Sequence, residues 1–95
     1  MRIWGKIWKE NRLIRDSVIE NVSDQTRTTK IFEALHDLCM EFDLSVPIWL
    51  DQNVNEFQRR SKTRFSQDNF VETIPFDYLE LQVIEEDGYF RGQKS

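Results

Sequence analysis

Arg2-Ile3-Trp4-Gly5-Lys6-Ile7-Trp8-Lys9 is the stretch on which the fold turns. Side chains on a strand alternate between two faces, so Ile3 and Ile7 point one way while Arg2, Trp4, Lys6 and Trp8 point the other. Both faces carry apolar area, as the central strand of a sheet requires. Glu10-Asn11-Arg12 interrupts the run, and Leu13 to Glu20 resumes it, with Ile14 and Val18 on one side and Leu13 and Ile19 on the other. The two runs predict an antiparallel hairpin. Its turn contains no Asn-Gly or Asp-Gly pair, which leaves a longer or bulged connection open.

Beyond the hairpin the period changes from two to about 3.6. Ile31, Phe32, Leu35, Leu38, Cys39 and Phe42 form one apolar stripe, opposed by Lys30, Glu33, Asp37 and Glu41. The spacing predicts a helix over residues 25–43, capped by Ser23 or Asp24 and ended by Leu44 to Pro47. Val46-Pro47-Ile48-Trp49-Leu50 reads as a buried apolar connection. A second helix follows, capped by Asp51 or Asn53, with a Leu50, Val54 and Phe57 stripe, and with Arg59, Arg60 and Lys62 complementing its dipole. Residues 63–77 allow a short helix through Phe70, Val71 and Ile74 or an irregular extended segment ahead of Pro75. Tyr78 to Glu85 alternates again, Leu79, Leu81 and Val83 against Tyr78, Glu80, Gln82 and Ile84.

The order β-β-α-α-β predicts an α+β fold: a small antiparallel or mixed three-stranded sheet with two helices on one face. The strand order is 2-1-3, because it centres the two-faced strand and sets Arg2 and Lys6 beside Glu80. Ninety-five residues suit one core, taken as residues 1–87 with a tail at 88–95. Twelve aromatic residues supply enough apolar area for that core.

The single cysteine, Cys39, forms no intrachain disulfide, which fits a reducing compartment and a cytoplasmic location. The charged, interleaved N-terminus lacks the apolar run of a signal peptide, and no stretch has the length of a membrane span. The net charge of -4 conceals blocks: +4 over residues 1–15, -7 over 16–58, +4 over 59–64 and -7 over 65–90. Such blocks suit complementary surfaces within a monomer or between subunits.

Several constellations invite a chemical reading. His36 and Cys39 lie one helical turn apart with Glu33 a further turn back, yet one His and one Cys are too few for a metal or thiol-catalytic site. The expectation is a buried thiol and no cofactor. Asp43, Asp51, Asp68, Glu72 and Asp77 offer carboxylates for acid-base chemistry, which sequence alone cannot bring together. The three glycines are scattered, so no phosphate loop exists. Ser23, Thr26, Thr28 and Thr29 with Arg27 and Lys30 could hold an anion at a helix start, though ordinary capping accounts for them. The run Arg59-Arg60-Ser61-Lys62-Thr63-Arg64, with Trp4 and Trp8, is the feature that suggests nucleic acid. An isoelectric point near 5.0 and the acidic blocks oppose it.

Arg2-Ile3-Trp4-Gly5-Lys6-Ile7, Ile48-Trp49-Leu50-Asp51 and Phe76-Asp77-Tyr78-Leu79-Glu80, with the overall length, resemble a group of short bacterial proteins of unknown function. The resemblance implies no activity, ligand or site. The residues point to a non-enzymatic, self-associating interaction module, a homodimer in its simplest form, with Trp4, Trp8, Arg59, Arg60, Lys62 and Arg64 as its candidate surface. A nucleic-acid or anion binder using residues 59–64 comes second, and a carboxylate-based enzyme third. Three strands leave no second layer for Trp4 and Trp8, so their cover must come from the tail, from residues 46–50 or from a second copy.

Overall fold

The computed structural model describes residues 1–87. β1 (Arg2–Lys9) and β2 (Arg12–Glu20) form the expected hairpin. Its two-residue turn is made by Glu10 and Asn11, with φ of 52° and 64°, both in the left-handed region that a type I′ turn needs. The pairing slips by one residue between Ile7 and Trp8, so Ile14 is left as a bulge and Leu13 stands opposite Trp8. This corrects the expected faces of β2. Leu13 and Val18 share the Trp side of the sheet, because one extra residue inverts the alternation beyond it.

Helix α1 (Arg27–Phe42) buries Ile31, Leu35, Leu38, Cys39 and Phe42 as the stripe requires, whereas Phe32 stays half-exposed at its margin. Its cap is Thr26, whose hydroxyl accepts from the Thr29 amide, instead of Ser23 or Asp24. It ends at Asp43, which takes a left-handed conformation and lets the Leu44 amide reach the Cys39 carbonyl at 2.8 Å. Pro47 therefore arrives after the helix has already stopped. Leu38 sits under Gly5, where a Cβ would fall 2.8 Å from a Leu38 methyl, so the missing side chain on β1 sets how closely helix and sheet approach.

Helix α2 (Asp51–Arg60) departs from its expected stripe. Phe57 is buried, but Leu50 and Val54 are exposed and Asn53 is fully buried. Ser61 then turns the chain through a left-handed residue into β3 (Lys62–Phe65), which pairs antiparallel with β4 (Tyr78–Glu85). Among the described residues the sheet thus has four strands in the order β2-β1-β4-β3, not three. The expected 2-1-3 order survives within it, and Lys6 stands opposite Glu80. Residues 63–77 resolve into β3, a single 3-10 turn at Gln67–Asn69, and an irregular return that buries Phe70, Ile74 and Phe76 while Val71 points outward.

Both helices cover the face that carries Ile3, Ile7, Leu79, Leu81 and Phe65. Trp49 plugs the seam between them, meeting Phe32, Phe57 and Phe65 edge-on at centroid distances of 5.0–5.8 Å. The alternative in which residues 46–50 shield Trp4 and Trp8 is therefore corrected: Trp49 of that segment packs on the opposite side of the sheet. The tail at 88–95, the other intramolecular cover considered, lies outside the described residues.

Candidate interaction surface

The face of the sheet turned away from the helices has its own order. Strand register sets Asp16, Lys6, Glu80 and Arg64 side by side across β2, β1, β4 and β3, a rung of alternating sign. Val18, Trp4, Gln82 and Lys62 form the rung on one side of it, and Leu13, Trp8 and Tyr78 the rung on the other.

Hydrogen bonds tie these rungs together. Lys6 Nζ lies 3.1 Å from Glu80 Oε1 and donates to Gln82 Oε1 at 3.0 Å. The Trp8 indole donates to the same Glu80 oxygen at 3.1 Å, and Arg64 Nε lies 3.5 Å from the other. Trp4 donates to Asp16 at 2.9 Å. Lys6 Nζ also sits 3.9 Å from the centre of the Trp4 ring, and the Arg64 guanidinium lies 4.5 Å from the centre of Tyr78. Lys6 and Glu80 are only 7% and 4% exposed, although no second layer of described residues covers this face. Their shelter comes from neighbours leaning across them, chiefly Trp4, Trp8, Tyr78 and Arg64.

Glu80 is the titrating centre of the array. Burial pushes its carboxyl up, but the hydrogen bond and charge of Lys6, the Trp8 indole and the Arg64 charge together hold it below the ordinary value of 4.5. A carboxyl depressed in the folded state stabilises the fold above its unfolded value and loses that contribution as pH falls through its folded value. The urea midpoint is therefore expected to drop as pH is lowered from about 4.5, and to drop less steeply in Glu80→Gln. Equal slopes for the two proteins would remove Glu80 from this role.

Of the residues singled out from the sequence, Trp4, Trp8, Lys62 and Arg64 come together on this face. Arg59 and Arg60 are not on the strands of this face but at the end of α2, because Ser61 breaks the basic run between helix and strand. Lys62 consequently belongs to β3 and not to the end of α2. Arg60 lines a polar cleft of about 190 Å³ at the β3 edge with Glu56, Lys62, Arg64 and Glu80. Tyr78 and Asp16 were not singled out, although their alternation placed them opposite the core residues of their strands.

The remaining constellations disperse. Cys39 is buried, and burial pushes its thiol up to about 11, while His36 faces solvent beside Asp37. Arg27 is bound to Glu86 and Lys30 to Asp87, so the cations near the α1 start are already paired. Glu72 accepts from Ser45 and Asp77 from the Glu10 amide, each holding a loop in place. Among the described residues no group of three or more His, Cys, Asp and Glu is arranged to hold a metal ion, and no helix is long and apolar enough to cross a membrane.

In comparisons with known proteins, no family model, curated protein or solved structure matches the chain.

Proposed function

We propose that the protein is a non-enzymatic interaction module that works by self-association through the open face of its sheet. The observation that carries this reading is a sheet face that no second layer of described residues covers, bearing the half-buried Trp4, Trp8 and Tyr78, with the two indoles tied into a rung of paired charges. Aromatic side chains already held in place lose little entropy on docking, and a rigid polar and aromatic floor is the kind of surface that protein interfaces use. At about 100 μM the full chain is expected to run as a dimer in sedimentation equilibrium, and Trp8→Ala to run closer to a monomer with unchanged far-ultraviolet circular dichroism. A monomeric native protein at that concentration would sink the reading.

One observation favours the second reading, single-strand nucleic acid. β3 brings Lys62 and Arg64 onto the aromatic face, the combination on which bases stack and phosphates pair. Against it, Arg64 already serves Glu80, and Asp16 and Glu80 set negative charge among the rings. Random single strands at physiological salt are expected to bind no more tightly than about 10⁻⁴ M. Micromolar binding abolished by changing Lys62 and Arg64 would reverse the order of the two readings.

A further inference from the structure

Resting on the reading of self-association, we infer that the second copy docks sheet face to sheet face about a two-fold axis parallel to β1, pairing Asp16 with the partner's Arg64. The central rung reads minus, plus, minus, plus from β2 to β3, as Asp16, Lys6, Glu80 and Arg64. A two-fold axis in the plane between two facing sheets and parallel to the strands reverses the strand order of one copy over the other. Asp16 then lies over the partner's Arg64, Lys6 over the partner's Glu80, and every position on the rung meets its opposite. An axis perpendicular to the strands and centred on the same rung keeps the strand order, setting Asp16 on Asp16 and Arg64 on Arg64. Like charges brought face to face disfavour that arrangement.

On the other rungs the parallel axis sets aromatic residues together, although Val18 falls over the partner's Lys62. Trp8 falls over the partner's Tyr78, an aromatic pair made twice by symmetry, and Trp4 over the partner's Gln82. Strands of the two copies then run in one direction, as in the aligned packing of two twisted sheets. Lys6 and Glu80 are mostly occupied with each other, whereas Asp16, though it accepts from Trp4, is exposed, and the Arg64 side chain, though it lies beside Glu80, is 60% exposed, so both ends of the rung keep polar atoms turned to solvent. Four strands at about 4.8 Å spacing and about 3.3 Å per residue give a face of roughly 400 Å² per copy. That is a modest interface, and the dimer belongs to the weak, reversible class.

The edge of β2 is the competing route to a dimer. Its bulge at Ile14 and its charges at Arg12, Arg15, Asp16 and Glu20 are features that oppose edge pairing.

The test is a charge swap in the full chain. Asp16→Arg and Arg64→Asp are each expected to weaken the dimer about tenfold or more in sedimentation equilibrium, because each sets like charges on both symmetry-related contacts. Mixed in equal amounts, the two variants are expected to recover native affinity as a heterodimer, since Arg now meets Asp at both contacts. Asp16→Arg also removes the acceptor of the Trp4 indole, but a defect of that origin is not repaired by an Arg64→Asp partner. If the native protein dimerises and the swaps leave it unchanged, or the mixture is no tighter than either variant alone, the docking geometry fails and self-association stands. If the native protein is monomeric at about 100 μM, both fail.

Discussion

Asn53→Ala is expected to destabilise the protein by about 3 kcal/mol or more, measured as a loss in the free energy of urea unfolding. Asn53 is fully buried, and all of its polar atoms have partners. Its amide nitrogen donates to Thr63 Oγ1 and to the Arg64 carbonyl, both at 2.9 Å. Its oxygen accepts from the Leu50 amide at 3.0 Å and from Asn69 Nδ2 at 2.7 Å. Asn69 in turn donates to the Ile48 carbonyl and accepts from the Ser66 amide, while Thr63 donates to Glu56. This one side chain therefore joins the 48–50 connection, α2, β3 and the 3-10 turn. Truncation leaves several of these groups buried without partners, at about 1–3 kcal/mol for each group left unsatisfied. Losses in one network do not add, so the total is smaller than their sum. A loss under about 1 kcal/mol would mean that water or a local shift replaces the network.

Leu35→Ala is expected to lower stability by about 2–5 kcal/mol, the range for truncating a core leucine. Leu35 is 1% exposed, in the middle of α1, among the residues that join the helix to the sheet. The cavity it leaves is bounded by rigid secondary structure, which collapses poorly into the space. The same measurement on Phe32→Ala supplies the comparison, because Phe32 shares the periodicity but is 51% exposed and is expected to lose less. A loss below about half a kcal/mol for Leu35→Ala would contradict its placement in the core.

The two experiments address different levels of information. Leu35 was legible from spacing alone: a run of apolar residues three and four apart has one way to hide from water, and α1 takes it. The same logic placed Trp4 and Trp8 opposite Ile3 and Ile7, since side-chain alternation is a property of any strand. It also put Arg2 and Lys6 beside Glu80; Lys6 stands there, whereas Arg2, two rungs along the strand, stands opposite Glu85. Local chemistry was read less well at the ends of elements. Thr26 caps α1 where Ser23 and Asp24 were equally qualified, and Asp43 ends it before the proline that could have done so.

The chain's own order of residues thus determined the α+β class, the central two-faced strand, the apolar stripe of α1 and the pairing of opposite charges between β1 and β4. Tertiary structure alone decided the fourth strand. Lys62–Phe65 is four residues long and sits inside a basic run that suits a helix end equally well, so its identity as a strand depends on β4 and on Asn53, which grips Thr63 and Arg64 from another element. The bulge at Ile14 was likewise invisible, because one inserted residue changes which side chains share a face without changing composition or period on either side of it. The alternating rung of Asp16, Lys6, Glu80 and Arg64 needs all four strands in register, and its ends come from residues 48 positions apart in the chain. A periodic pattern reports only what one segment does with its own neighbours; a charge array across a sheet is a property of the packing.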